Sequence, residues 1–289
     1  MARAHVGGDT AGVTEQPASR TVDARGLRFH YVDWGHAGAP PLVFLHGFSG
    51  HARTWDHAAR ATRDRFHVLA LDQRGHGDTE WAPEYGSGPM VADVLAFLDD
   101  LGLERVALVG ASMGGINAYS FAGAHPERVD RLVVVDIGPE IDRRGIARIM
   151  ANTHAGATFA DVDEALDRMR ADNPLADPAM LRHRVLNNLR VVPDGRVTWK
   201  WDPALGNRSV PRTEIGRDEQ WDRWRALRCP TLLLRGAESD LLSVETADRM
   251  LAEQPRARLV TVDGASHTVT MDRPDAHDAA IREFLLART

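Results

Sequence analysis

Residues 106–115 read Val-Ala-Leu-Val-Gly-Ala-Ser-Met-Gly-Gly. Four apolar residues enter a glycine, a single hydroxyl follows, and two more glycines open a stretch from Ile116 to Ala124 that reads as a helix stopping before Pro126. A strand that turns at once into a helix around a G-x-S-x-G core leaves the serine side chain exposed at the strand's carboxyl end. Gly110 and Gly114 let the helix pass close to neighbouring strands, and the backbone N–H of Met113 points into the space beside the hydroxyl. The plainer reading is a helix N-terminus with Ser112 as its cap. A hydroxyl becomes a useful nucleophile only when a base takes its proton, so the first reading requires partners elsewhere in the chain.

The rest of the sequence supplies a scaffold of the same kind. Short apolar runs at Pro41–Leu45, Phe66–Leu71, Val106–Val109, Leu132–Val135 and Thr231–Leu234, with a weaker one at Leu259–Val262, read as strands buried on both faces. An alternating stretch, Arg28–Trp34, reads as an earlier strand. Helical spacing recurs at Met90–Leu101, Val244–Leu251 and Ala276–Leu286. Strand and helix alternate, which predicts an α/β fold with a mostly parallel sheet covered by helices on both sides.

One interval breaks the rhythm. From Asp136 to Cys229 the chain is far longer than the dozen or two residues that a crossover helix needs. The surplus predicts an insertion over one end of the sheet, with helices at Val162–Met169 and Pro178–Leu189. It holds Trp199, Trp201, Trp221 and Trp224, four of the seven tryptophans, which either line a pocket or form the insertion's own small core. The expected organisation is a loose tail over 1–20, a core over 21–136 and 226–289, and a mainly helical cap over 137–225.

Several function classes are set aside by composition. The net charge of −6 and the absence of a clustered basic patch argue against nucleic acid. Arg60, Arg63 and Arg65 read as a solvated surface cluster. No apolar window approaches a membrane span, and the first residues lack the apolar core of a secretory signal, so a cytoplasmic protein without a membrane partner is expected. The one cysteine, Cys229, reads as a buried small hydrophobe. No C-x-x-C or H-E-x-x-H pair occurs, and neither a metal nor a cofactor is expected. The expected state is a monomer or homodimer.

At these residues the chain resembles the α/β-hydrolase fold family. Leu45-His46-Gly47-Phe48 is similar to the turn that supplies an oxyanion-hole donor. Asp72-Gln73-Arg74-Gly75-His76-Gly77 is similar to the D-x-R-G-x-G segment after the next strand, and Gly110–Gly115 to the nucleophile turn, with Ala111 where many relatives have histidine. The resemblance runs from about Thr21 to the C-terminus, matches the insertion in position only, and implies an eight-stranded sheet with a cap. It also implies partners in the order Ser, acid, His.

On that pattern Ser112 is the nucleophile and His267, after Leu259–Val262, the base. Asp240, after Thr231–Arg235, is the expected acid, with Asp136 as the second candidate and Glu238 as a surface charge. The N–H groups of Phe48 and Met113 are the expected oxyanion donors. His46 reads as packing of its turn, His76 as structural, and His154 and His183 as exposed or packed. His46, Gly47, Trp199 and Trp201 are carried as candidate substrate contacts.

Relatives that open epoxides or displace halide carry aspartate where this chain has Ser112. A serine suits acyl carbon, so the expectation is a cofactor-free serine hydrolase of a small, largely apolar ester or lactone. The alternatives are a C–C bond hydrolase of ring-cleavage diketones, a perhydrolase, or a small-molecule receptor on the same fold.

Overall fold

The structure is a computed structural model, and it describes residues 16–152, 156–207 and 209–287. The core is built on eight strands. They are β1 (Ala18–Ala24), β2 (Leu27–Asp33), β3 (Pro41–Leu45), β4 (His67–Leu71), β5 (Val106–Ala111) and β6 (Val129–Val135), then β10 (Thr231–Gly236) and β11 (Ala257–Val262). They lie in the order β1-β2-β4-β3-β5-β6-β10-β11, antiparallel at β1 and β2 and parallel from β4 onward.

Parallel strands sandwiched between helices must be apolar on both faces, and β3 does this residue by residue. Val43 and Leu45 enter one core with Tyr119 and Trp224, while Leu42 and Phe44 enter the opposite core with Trp55 and Phe284. The first core packs against α2 (Ser87–Asp100), α3 (Met113–Ala124), α8 (Arg217–Arg225) and α9 (Val244–Glu253). The second packs against α1 (Asp56–Thr62) and α11 (Pro274–Leu286).

Between β6 and α8 lies the cap, with α4 (Arg143–Ala151), β7 (Thr158–Phe159), α5 (Val162–Asp172), α6 (Pro178–Asn188), β8 (Leu189–Val191), β9 (Val197–Trp199) and α7 (Pro203–Asn207). Its core joins Phe159, Leu166, Leu181, Trp199 and Trp201 around a three-stranded sheet of order β7-β9-β8. Trp199 and Trp201 thus belong to the cap core, and both also line a cavity, so the two roles that the sequence offered as alternatives coexist.

Two boundaries differ from expectation. The tail expected over 1–20 lies partly outside the described residues, but β1 begins at Ala18 and pairs along its full length with β2. The cap expected to run to 225 ends before α8, which packs against α3 in the main core. Trp224 is fully buried there, its Nε1–H donates to Met250 O at 2.8 Å, and its ring meets Tyr119 edge-on. The helix falls inside the long interval from Asp136 to Cys229, whose length alone assigned it to the insertion, and its only apolar residues are Trp221 and Trp224.

The order of strands reverses between β3 and β5: the chain leaves β3 toward one edge and β5 toward the other. In open α/β sheets, ligands bind outside the carboxyl ends of strands at such a switch point. Both flanking strand ends, His46–Phe48 and Ser112, belong to segments that the sequence singled out.

Candidate active site

Ser112 stands where β5 breaks into α3, with a left-handed φ of 51°. An L-residue avoids that region, so the surrounding packing has to hold it there. A Cβ on Gly110 would fall 2.2 Å from Gly114 O, and one on Gly114 would fall 2.2 Å from Leu45 O and 2.5 Å from His46 O. The two glycines therefore let the helix seat directly on the end of β3. Ser112 N also donates to Val135 O at 3.0 Å, tying the turn to β6.

His267 lies in the loop after β11 and before α10 (Val269–Asp272). Its Nε2 is 2.9 Å from Ser112 Oγ and its Nδ1 is 2.8 Å from Asp136 Oδ2. The carboxylate can only accept, so Nδ1 carries a proton and Nε2 presents its lone pair to the serine. The expected base is thus brought to the expected nucleophile.

The expected acid is not. Asp240 is held by Arg148 of α4 through two bonds, Nε to Oδ2 at 2.6 Å and Nη2 to Oδ1 at 2.8 Å. Gly145 permits this contact, since a Cβ there would meet Asp240 O at 2.6 Å. The Arg148 guanidinium holds the Asp240 carboxyl below its ordinary pKa.

Asp136, the second candidate, takes the histidine instead. It is fully buried at the carboxyl end of β6, with φ 53°. Its Oδ1 accepts from Gly236 N at 2.9 Å, and its Oδ2 accepts from the Ser239 hydroxyl as well as from His267. Ser239 is a residue that sequence reasoning missed. The loop after β10 does not supply the acid, but the last residue of β10 and Ser239 in that loop supply two donors that orient it. A signal for Asp136 was present: a carboxylate directly after a buried strand neighbouring the serine's strand, in a residue type that tolerates φ > 0.

The turn after β3 faces Ser112. A Cβ on Gly47 would lie 3.2 Å from Ser112 Cβ, and Gly47, Phe48 and Ser112 share one cavity wall. The Met113 amide is one of those that a helix start leaves without an intrahelical acceptor, and it adjoins the hydroxyl.

His46 does not touch this cavity and is no substrate contact. It is fully buried, its Nδ1 donates to Gly47 O at 2.8 Å, and its Nε2 accepts from Gln73 N at 3.0 Å. Burial, with the neighbouring His76, lowers its pKa to about 3. Gln73 Nε2 donates in turn to His46 O at 2.6 Å. The Asp72–Gly77 segment is therefore a brace for the Gly47–Phe48 turn.

Asp72, Asp78 and His30 form the one trio of potential metal ligands among the described residues, with ligand atoms within 4.8 Å. Asp72 already accepts from Ala52 N, from His30 Nδ1 at 2.6 Å and from Asp78 N at 2.9 Å, so its lone pairs are committed to protein donors.

Trp199 and Trp201 line a second cavity, which shares Ser49, Asn152, Met169 and Arg184 with the first. Ile116, Ile137, Ile141, Ile146 and Leu241 line an apolar pocket that also reaches Ser112 and shares Ile149 with the first cavity. His183 is half-buried with Nε2 3.1 Å from Asp56 Oδ2, and His154 lies outside the described residues. Cys229 is buried, which pushes its thiol pKa up. No described helix is long and apolar enough to cross a membrane.

Comparison with known proteins identifies the family of the chain. A family model described as the alpha/beta hydrolase family matches residues 42–279. A mouse (Mus musculus) sn-1-specific diacylglycerol lipase is 32% identical, over 90% of this chain and 85% of its own. Epoxide hydrolase A of Mycobacterium tuberculosis is 27% identical, over 93% of this chain and 97% of its own. A crystal structure of E-2-(acetamidomethylene)succinate hydrolase superposes with a TM-score of 0.84 at 25% identity, covering 94% of this chain and all of that one. With the match spanning sheet, cap and both ends of the hydrogen-bonded chain from Ser112 to Asp136, this protein belongs to the alpha/beta hydrolase family and is a hydrolase.

Proposed function

We propose that the protein hydrolyses carboxylic esters through an acyl-enzyme, with Ser112 as nucleophile, His267 as base and Asp136 as acid. The observation that carries this reading is the chain of contacts from Ser112 Oγ to His267 Nε2 at 2.9 Å and from His267 Nδ1 to Asp136 Oδ2 at 2.8 Å.

As Ser112 Oγ bonds to the acyl carbon, its proton passes to His267 Nε2. Asp136 stabilises the imidazolium so formed and keeps the ring in the required tautomer. The carbonyl oxygen gathers negative charge, which the amides of Phe48 and Met113 can receive. Removal of one such donor typically costs about 3–4 kcal/mol of transition-state stabilisation. The imidazolium then protonates the leaving alkoxide, and water enters, activated by the same ring, to release the acid.

The identity of the nucleophile separates this reading from epoxide opening, which the name of one relative brings to mind. A serine oxygen that opened an epoxide would form an ether, and the addition of water that releases an acyl ester has no counterpart at an ether carbon. A carboxylate nucleophile avoids that dead end, and this chain has none at position 112.

The test uses 4-nitrophenyl butanoate and a fluorophosphonate probe. Wild type should turn over the ester and take up one equivalent of probe at Ser112. Ser112→Ala should do neither, and His267→Ala should lose both to within a few per cent. Activity within tenfold of wild type in either variant overturns the assignment, and tight ligand binding without any turnover in wild type would mark a receptor.

A further inference from the structure

The cavity beside Ser112 contains a cation with no carboxylate partner among the described residues. Arg184, on α6, lines both the cavity at the serine and the adjoining one beneath Trp199 and Trp201. Its residue is half-buried, and the exposed part opens on these cavities. All of its side-chain contacts are neutral: Nη2 donates to Ser49 Oγ at 3.2 Å and, less favourably, to Ser49 O at 3.4 Å, while Nη1 lies 3.7 Å from Met271 Sδ. Among the described residues no carboxylate stands within 4.0 Å of the guanidinium.

Two other arginines nearby already have carboxylate partners. Arg148, on the same wall, is neutralised by Asp240. Arg53 is paired with Asp56, which His183 also contacts. Asp172 lines the cavity too, with a partner of its own. Burial lowers the Arg184 pKa to about 10, so the group remains charged at neutral pH. An unpaired charge out of water is costly, and a planar fork of donors matches a carboxylate with two parallel bonds.

The two cavities that reach Ser112 differ in kind. Toward Arg184 the wall carries Ser49, Thr54, Asn152, Asn173 and Thr270, all able to hydrogen bond. The apolar pocket, which shares Ile149 with that cavity, is lined by isoleucines, Met150 and Leu241. Ser49, the residue that Arg184 contacts, directly follows Phe48, whose amide serves as oxyanion donor in the reading above. The guanidinium therefore contacts the residue next to that donor and lines the same cavity as Ser112.

We propose that Arg184 is the receptor for a carboxylate on one arm of the substrate, so that the preferred ester is a short-chain monoanion with its uncharged aliphatic arm in the isoleucine pocket. This rests on the ester-hydrolase reading, which the test below scores separately.

The experiment compares two matched pairs, each a carboxylate and its methyl ester. One pair carries the carboxylate on the acyl arm (mono-4-nitrophenyl glutarate), the other on the alcohol arm (4-butanoyloxybutanoate). In at least one pair, wild type should prefer the carboxylate by roughly ten- to hundredfold in kcat/KM, the range of a hydrogen bond to a charged group. Arg184→Met should bring that ratio toward one, and Arg184→Lys should restore part of it. Free glutarate should inhibit the wild type competitively and Arg184→Met at least tenfold less well. Folding of both variants is checked by their melting temperature and fluorophosphonate labelling.

Wild type without a carboxylate preference in either pair overturns the proposal, as does a preference that survives in Arg184→Met. Turnover of the neutral esters that disappears in Ser112→Ala keeps the hydrolase reading standing even then.

Discussion

Exchanging one oxygen for an NH2 group at position 136 should disable the site while leaving its shape. In Asp136→Asn, the amide oxygen can keep the Gly236 N–H, as Oδ1 does now at 2.9 Å. The NH2 group then takes the place of Oδ2, which at present accepts from both Ser239 Oγ and His267 Nδ1. Two donors would face each other across 2.8 Å. The imidazole relieves this by moving its proton to Nε2, and there it can no longer accept the proton of Ser112. Loss of the tautomer and of the anionic partner together costs about 10⁴ in kcat in triads of this kind, or roughly 5 kcal/mol. Asp240→Asn should cost less than about tenfold, because it breaks a half-exposed pair with Arg148 rather than the histidine's partner. The assay is kcat/KM for 4-nitrophenyl butanoate between pH 5 and 9, with melting temperature as the folding control. A well-folded Asp136→Asn within tenfold of wild type, or an Asp240→Asn reduced a hundredfold or more, would refute the reasoning and return the acid to the loop after β10.

Two further outcomes follow from the packing. Gly114→Ala puts a methyl group 2.2 Å from Leu45 O, a backbone atom that cannot swing away. It should lower stability by about 3 kcal/mol or more and cut ester turnover as α3 lifts from β3. Gly216→Ala, with nothing within 4 Å, should melt close to wild type, and equal melting temperatures for the two variants would contradict this account. The second outcome concerns acid. Burial lowers the pKa values of His46 to about 3 and of His51 and His76 to about 4. Since these lie below the unfolded value, the unfolded chain gains protons first, and stability present above about pH 6.5 is lost as pH falls toward 4. Each histidine contributes at most about 1.4 kcal/mol per pH unit. Thermal melts should therefore fall steadily from pH 7 to pH 5, and a flat profile over that range would contradict the assignment.

Much of this was legible in the chain. The buried strands and the serine turn follow from local signals, apolar runs of strand length and glycines at a forced turn, while His267 follows from the order of partners that the family resemblance implies. The acid was harder because two carboxylates, Asp136 and Asp240, each follow a strand whose carboxyl end faces the site. Choosing between them depends on Arg148, 92 residues from Asp240. No local pattern reports so distant a partner. The same limit hid α8, whose two tryptophans are read as core only when α3 is seen beneath them. The absence of a carboxylate partner for Arg184 among the described residues is likewise a fact about three-dimensional neighbours.

The allocation of the two carboxylates has an electrostatic logic. An acid stabilises a nascent imidazolium in proportion to the charge it has free. Asp240 shares its charge with Arg148 through a bidentate contact and is about one-third exposed. Asp136 is fully buried, and among the described residues its ion pair is with His267 alone. Its remaining lone pairs accept from neutral donors, Gly236 N and Ser239 Oγ, which fix its position without cancelling its charge. Low effective dielectric strengthens such an undivided pair. Asp136 is also anchored by the sheet itself, through Asp136 N to Leu234 O at 2.7 Å, one residue from the Val135 carbonyl that holds Ser112 N. Nucleophile and acid are thus set by adjacent strands, and the loop after β10 is left free to hold the cap at Arg148. Half-exposed pairs of that kind contribute about 1 kcal/mol or less, enough to bias the position of α4 over the site without locking it.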